Sequence, residues 1–308
     1  MLICGPFSPE ERARLEAAHP SIYAASPAEI SALPDTQRAA IRALAYKGAQ
    51  PFGDAAMAAL PGLGVLANFG VGYDAIDIAA ATARGIRVTN TPDVLNDDVA
   101  DLAVGMMLAF ARKLDDGDRL VRSGDWAQTR LPLNRKMSGA TVGSVGLGRI
   151  GREIADRLAA FKMQIHYHSR SEKDTPGWTF HADPVSLATA VDWLVIALVG
   201  GGETENYIDA NVLKALGPNG VLVNIARGST VDEAALLEAL ETGAISGAAL
   251  DVFRNEPTID LRFRPLRNVV LQPHQGSGTV ETRRAMLDLQ SRNITAFLQG
   301  TDLPTPVN

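Results

Sequence analysis

Arg227, Glu256 and His274 are the residues that could together hold an anion and move a proton without a metal. Arg227 closes the stretch Val223 to Gly228, Glu256 lies in Asp251 to Pro257, and His274 lies in Leu271 to Ser277. Each follows an apolar run that reads as a strand. When hydride adds to a ketone, negative charge develops on the oxygen, and an imidazolium can donate a proton there. A neighbouring carboxylate favours a charged imidazole and fixes its ring. A guanidinium can clamp a carboxylate through two parallel hydrogen bonds. Ligands of open α/β sheets bind beyond the carboxyl ends of the strands, so these side chains are expected to converge there. The plainer reading of His274, a core histidine satisfied by backbone, is the weaker one beside the Glu and Arg motifs.

Hydride chemistry needs a donor, and Thr141 to Gly151 offers a place for one. A short apolar strand runs into Gly146-Leu147-Gly148-Arg149-Ile150-Gly151, and a helix follows with Ile150, Ile154 and Leu158 on one stripe. Gly146 allows a tight turn, Gly148 lets backbone approach a pyrophosphate, and Gly151 lets helix and strand pack closely. Free amides at the helix start would face the phosphates. The alternative is a plain glycine-rich turn, which the flanking strand and helix argue against. Arg149 either lies near the pyrophosphate or is a surface charge. An NAD site carries a carboxylate near the end of the next strand. Here that strand ends His168-Ser169-Arg170-Ser171, and the first carboxylate comes later, at Glu172. Arg170, with Ser169 and Ser171, can bind a 2′-phosphate instead. NADP(H) is therefore the expected cofactor, with NAD(H) as the weaker alternative.

These residues need a frame. Met1 to Gly5, Ser21 to Ala25, Ala43 to Tyr46, Gly64 to Asn68 and Ile86 to Thr89 read as buried strands, separated by helices over Glu10 to His19, Asp35 to Ile41, Asp54 to Leu60 and Asp74 to Arg84. A single long helix is expected from Asp97 to Arg122, with Asp97, Asp98 and Asp101 complementing its dipole. Its middle, Leu102 to Phe110, is apolar nearly all round, so it must be buried on more than one side, between domains and against a second subunit. A second series of strands runs from Thr141 to Gln272, and Val280 to Leu298 reads as a final helix. Alternating strands and helices predict parallel sheets with helices on their faces. The expectation is an α/β protein of two domains. A Rossmann-type doubly wound parallel sheet, residues 97–279, would be inserted in a smaller flavodoxin-like α/β domain made of residues 1–96 and 280–308.

Composition narrows the function. The 308 residues are 46% hydrophobic and 21% charged, as in ordinary globular proteins, with a formal net charge of −6. No Lys/Arg block gives nucleic acid a footprint. The single cysteine, Cys4, excludes an internal disulfide and a Cys-rich metal site. Met1 to Pro9 lacks the basic leader and long apolar core of a secretion signal, and no apolar run is long enough to span a membrane. The expected setting is the cytoplasm. No metal site is expected: His166 and His168 share a strand face without a third ligand, and strand packing accounts for them. Hydrolase and nucleotide-triphosphatase motifs are absent.

The ordered set of motifs resembles the D-2-hydroxyacid dehydrogenases, and within them the glyoxylate/hydroxypyruvate reductase branch. The resemblance spans about Ala67 to Ser277. It rests on Asn68 to Asp74, Leu95 to Leu102, Gly146 to Gly151, Ala226 to Gly228, Asp251 to Pro257 and Pro273 to Ser277. It implies that Arg227 binds the substrate carboxylate and carbonyl, that Glu256 pairs with His274, and that His274 is the acid/base. It implies that the amides of Val71 and Gly72 hold the carboxylate, a task for which Gly70 and Gly72 give the backbone freedom. Thr204 resembles a residue near the cofactor phosphates and Asp251 one near the nicotinamide amide. Leu147, Ile225 and Gly276 fall in the same cofactor motifs. A homodimer through the helix after Asp97 is implied as well. One departure concerns the loop after the Trp193 to Ala197 strand, where Leu198-Val199-Gly200 stands in place of a frequent proline.

The reaction expected is reduction of a short 2-keto acid such as glyoxylate or hydroxypyruvate. The rivals are an NAD-linked dehydrogenase of another 2-hydroxy acid and a dinucleotide-sensing, corepressor-like binding protein. Trp126 and Arg130 could reach a partner's substrate site or form a surface cap, and Lys47-Gly48 could face substrate.

Overall fold

The computed structural model describes residues 1–308. The chain divides into two compact units, one formed by Met1–Leu95 with Thr279–Asn308 and the other by Asn96–Gly278.

The first unit is built on five short strands: β1 (Leu2–Cys4), β2 (Ile22–Ala24), β3 (Ala43–Tyr46), β4 (Val65–Asn68) and β5 (Arg87–Thr89). They pair in parallel in the order β2-β1-β3-β4-β5, the flavodoxin-like order. β1, β3 and β4 are buried at every position, as parallel strands covered on both faces must be. Helices α1 (Pro9–Ala18), α2 (Asp35–Ala40), α3 (Asp54–Ala58) and α4 (Ile78–Ala83) connect them. Ser8 and Glu11 form a reciprocal capping box at the start of α1. Where the sequence suggested a helix from Asp74, α4 begins only after Asp77, whose carboxylate caps it by accepting the Ala80 N–H.

The second unit opens with α5 (Asn96–Arg112) and α6 (Leu114–Ser123), where the sequence pattern suggested one long helix. The break is at Lys113, held in a left-handed conformation at φ 48°. No glycine or proline marks it. The Lys113 ammonium sits 4.8 Å above the Phe110 ring and 3.3 Å from the Arg267 carbonyl oxygen, and these contacts oppose the roughly 1–2 kcal/mol that the conformation costs. α5 buries Val99, Ala103, Met106, Met107 and Phe110, whereas α6 buries no residue.

Seven parallel strands follow: β6 (Thr141–Val145), β7 (Gln164–His168), β8 (Thr179–His181), β9 (Trp193–Ile196), β10 (Val221–Asn224), β11 (Gly247–Leu250) and β12 (Val269–Leu271). Their order is β12-β11-β10-β9-β6-β7-β8, so the winding reverses between β6 and β9. In doubly wound sheets that reversal marks the ligand crevice. Helices α7 (Arg149–Ala160), α8 (Pro184–Thr189), α9 (Ala210–Leu216) and α10 (Glu233–Thr242) complete the layers. Asp97 and Asp101 do more than complement a dipole: both bond Arg157 of α7, at 2.7 and 2.6 Å. The chain then returns to the first unit as α11 (Val280–Gln299), whose buried Gln290 amide donates to the Tyr46 and Ala67 carbonyls at the ends of β3 and β4. No helix is long and apolar enough to cross a membrane.

Candidate active site

In the second unit His274 and Glu256 meet. His274 Nδ1 lies 2.6 Å from Glu256 Oε2, and Glu256 Oε1 accepts the Phe253 N–H at 3.0 Å. Burial raises the pKa of the Glu256 carboxyl, but the His274 hydrogen bond and charge, the Phe253 amide and the Arg227 guanidinium outweigh it. The group stays below its ordinary value. An ionised Glu256 can only accept, so Nδ1 carries a proton and Nε2 is left for the substrate side. The His274 side chain is 47% exposed, which leaves that nitrogen reachable.

The turn that presents His274 is fixed by Asp251. Its carbonyl accepts the His274 N–H at 2.8 Å, and its carboxylate oxygens accept the amides of Gln275 and Gly276 at 2.6 and 2.8 Å. His274 itself has φ 55°, a conformation that histidine tolerates better than most residues. Burial dominates at Asp251 and holds its pKa above the ordinary value, against the pull of the two amides. Asp251 and Gly276, read from the sequence as cofactor contacts, are thus first of all the support of the histidine turn.

Arg227 follows β10 and is half-buried. Asn224, at the strand end, shapes this loop from both sides: its Nδ2 donates to the Arg227 carbonyl at 2.9 Å and its Oδ1 accepts the Ala226 N–H at 3.0 Å. Ile225 is buried in the loop. A Cβ on Gly228 would stand 1.9 Å from the Phe253 carbonyl carbon, so the loops carrying Arg227 and Glu256 touch backbone to backbone. Arg254 adds a tie between the Glu256 loop and Glu205 and Asn206, at 2.6 and 2.8 Å.

The glycine turn lies at the winding reversal. A Cβ on Gly146, at φ 94°, would meet the Ala197 carbonyl oxygen at 2.6 Å, and one on Gly151 would meet the Gly146 oxygen at 2.3 Å. Gly148 is different: nothing lies within 4 Å of its Cβ position. It is the N-cap of α7 and carries no side-chain cap, so the approach to the first turn, which includes Arg149 and Ile150, is not blocked at this position. Leu147 is buried beside it. Ser144 pins the turn by donating to the Gly146 carbonyl at 2.8 Å. That cradle suits a diphosphate. After β7, the Ser169 hydroxyl donates to the Ser171 carbonyl at 2.6 Å, and Arg170 is exposed. Lys173, which the sequence reading did not single out, reaches Ser171 Oγ at 3.4 Å and adds a second cation. Its place was set by Tyr167, whose hydroxyl accepts the Lys173 N–H and donates to its carbonyl, a contact no spacing rule reveals. Thr204 closes the loop that lacks proline, its hydroxyl lying 2.7 Å from the Val199 carbonyl oxygen and 3.1 Å from that of Gly201.

His166 pairs across strands, its Nδ1 2.9 Å from His181 Nε2. The ring centroids are 5.2 Å apart, so the nitrogens face head-on in a hydrogen bond that leaves no room for an ion between them. His168 spends Nδ1 on the His181 carbonyl and Nε2 on the Tyr207 hydroxyl.

In the first unit, the loop after β4 turns its carbonyls inward. The Asn68 amide donates to Gly70 and Gly72 carbonyls at 3.2 and 2.9 Å, and the Asn90 amide to that of Val71 at 2.9 Å. No acceptor in the chain takes the N–H of Val71 or Gly72. Lys47, at the end of β3, is bound by both Glu11 oxygens at 2.8 and 2.7 Å and lies over the Phe7 and Phe69 rings.

Comparison with known proteins agrees with this frame. The family model described as D-isomer specific 2-hydroxyacid dehydrogenase, NAD binding domain, matches residues 104–276. A glyoxylate/hydroxypyruvate reductase A of Arabidopsis thaliana is 47% identical over 279 residues, 91% of this chain and 89% of that protein. A 2-ketogluconate reductase of Gluconobacter oxydans is 44% identical, covering 87% and 86%. Among solved structures, an NADPH-dependent glyoxylate/hydroxypyruvate reductase of Sinorhizobium meliloti, in complex with NADP and malonate, superposes with a TM-score of 0.94. It is 42% identical, and the match covers 99% of this chain and 95% of that one.

Proposed function

The chain belongs to the D-isomer specific 2-hydroxyacid dehydrogenase family, and from that premise we propose that it reduces short 2-keto acids such as glyoxylate and hydroxypyruvate with NADPH. The observation that carries this reading is the 2.6 Å His274–Glu256 pair in the unit that holds the glycine cradle.

NADPH, when bound, supplies hydride to the keto carbon. The carbonyl electron pair moves onto oxygen, and His274 transfers its Nε2 proton there, so a hydroxyl forms and the imidazole is left neutral. Glu256 holds the ring and offsets its charge. In the second unit Arg227 would hold the substrate carboxylate, and in the first the amides of Val71 and Gly72 offer the donors suited to one. The start of α7 beside Gly148 would hold the cofactor diphosphate, and Arg170, Lys173 and Ser169 would hold its 2′-phosphate. This last feature favours NADP(H) over NAD(H): two cations flank the end of β7, where an NAD site would hold a carboxylate. The test is NADPH oxidation with a panel of 2-keto acids. Turnover that persists in His274→Ala refutes the acid/base role, and tight NADPH binding without turnover favours the sensor alternative.

A homodimer belongs to the same reading. Leu114, Val121, Trp126 and Leu133 are 55%, 59%, 63% and 102% exposed along the segment after Lys113, an apolar surface suited to a second copy. Light scattering should give twice the chain mass, and Leu133→Asp should lower it. The cytoplasm remains the expected compartment.

A further inference from the structure

We propose that Asn68, Asn90 and Thr91 are positioning residues that turn the Gly70–Gly72 backbone into a carboxylate receptor, by occupying its carbonyl oxygens and leaving only N–H groups to face a ligand. The inference rests on the function proposed above and deepens it.

A peptide loop presents equal numbers of donors and acceptors, so it has no preference for an anion unless one set is used elsewhere. Here the acceptors are used. Asn68 Nδ2 reaches the Gly70 and Gly72 carbonyls, and Asn90 Nδ2 reaches that of Val71. The Thr91 N–H donates to the Gly70 carbonyl at 2.9 Å, while Thr91 Oγ1 accepts the Gly70 N–H at 3.0 Å. Every carbonyl from Gly70 to Gly72 has a donor, and the first amide has an acceptor. The amides of Val71 and Gly72 alone are unclaimed. Asn68 is 4% exposed and Thr91 fully buried, so neither side chain can itself serve as a ligand contact. Gly70, at φ 148°, permits the reversal that brings two carbonyls to one amide. The ring of Phe69, just before the turn, has the Lys47 ammonium 4.7 Å and the Arg283 guanidinium 5.7 Å from its centroid. The loop is therefore preset before any anion arrives.

Asn68 donates through its amide nitrogen, so Asn68→Asp keeps the shape and removes both donors. Thr91→Val keeps the shape and frees the Gly70 N–H, and Thr91→Ser restores the acceptor. The probe is oxalate, an unreactive short dicarboxylate, titrated calorimetrically into native and variant protein with and without NADP⁺, alongside steady-state kinetics with glyoxylate. Losing the preset should raise the oxalate Kd and the glyoxylate KM by about tenfold or more in Asn68→Asp and Thr91→Val. The KM for NADPH should stay near native, kcat should change far less than KM, and Thr91→Ser should resemble the native protein. The proposal is overturned by native protein that does not bind oxalate, or by folded variants that bind it unchanged. It is equally overturned if kcat and the NADPH KM deteriorate in step with the glyoxylate KM, the mark of general disruption. If Asn68→Asp does not fold, the Thr91 pair decides. Native protein that binds oxalate yet reduces no 2-keto acid would refute the proposed function and leave the receptor standing or falling on the variants' oxalate affinity.

Discussion

Two glycines three residues apart should respond to the same added methyl in opposite ways. In Gly151→Ala the new Cβ would lie 2.3 Å from the Gly146 carbonyl oxygen and 3.2 Å from Ser144 Oγ. The first contact is about an ångström too short, and a backbone carbonyl cannot rotate aside, so overpacking of about 3 kcal/mol is expected. Alanine recovers about 1 kcal/mol of that through its better helix propensity. The net loss of about 2 kcal/mol corresponds to a melting temperature lower by about 4–8 °C. In Gly148→Ala nothing lies within 4 Å of the new atom, and φ −82°, ψ −161° suits alanine. Loss of a favoured N-cap glycine and gain from a stiffer unfolded chain are each a few tenths to about 1 kcal/mol and oppose one another, so melting should move by no more than about 2 °C. The methyl would nevertheless stand where a diphosphate must approach α7, and NADPH should bind about tenfold more weakly or worse. Differential scanning calorimetry without cofactor and fluorescence titration with NADPH separate the two. A Gly148→Ala protein that binds NADPH as the native protein does would refute the placement of the diphosphate. A Gly151→Ala protein of native stability would refute the packing argument.

Arg170→Ala should raise the NADPH KM about tenfold and leave the NADH KM unchanged, and adding Lys173→Ala should deepen that selective loss; steady-state kinetics with both cofactors check it. Glu256→Gln should lower kcat about a hundredfold with little change in the NADPH KM, since the histidine keeps its place but loses a charged partner. His166 and His181 both have pKa values lowered from 6.5, by burial first and then, for His166, by the other ring. A lowered histidine favours the neutral folded form, so its stabilisation is complete above pH 6.5 and is lost as pH falls, because the unfolded chain takes up protons first. Melting temperature should therefore drop as pH falls below about 6.5, and His166→Gln should flatten that slope.

Much of this was legible from residue types. The strands of both sheets could be read because parallel strands buried on both faces are short continuous apolar runs, as in Val221–Asn224. The Arg227, Glu256 and His274 motifs stood out because each follows an apolar run and the three residue types together cover anchoring, tuning and proton transfer. The helix break at Lys113 was not legible, since nothing in the residue type demands φ 48°; the Phe110 ring one turn earlier and the distant Arg267 carbonyl make it tolerable. Lys173 was missed for the same reason. Its position depends on the Tyr167 hydroxyl, and such contacts are set by tertiary packing.

The second pattern, invisible in any single motif, concerns the polar residues buried at the strand ends. Ser144 of β6 bonds the Gly146 carbonyl, Asn224 of β10 bonds the Arg227 loop, Asp251 after β11 bonds the His274 turn, and Asn68 of β4 bonds the Gly70–Gly72 turn. Each is at most 4% exposed. A buried polar group left unpaired costs about 1–3 kcal/mol, so each of these side chains strongly favours the one loop conformation that satisfies it. The functional loops are irregular and lie on the surface, where few apolar contacts could hold them. Their rigidity thus comes from beneath, from one hydrogen-bonding side chain per strand. It follows that exchanging any of the four for an apolar residue of similar size should loosen its own loop and leave the sheet intact, which separates loss of function from loss of fold.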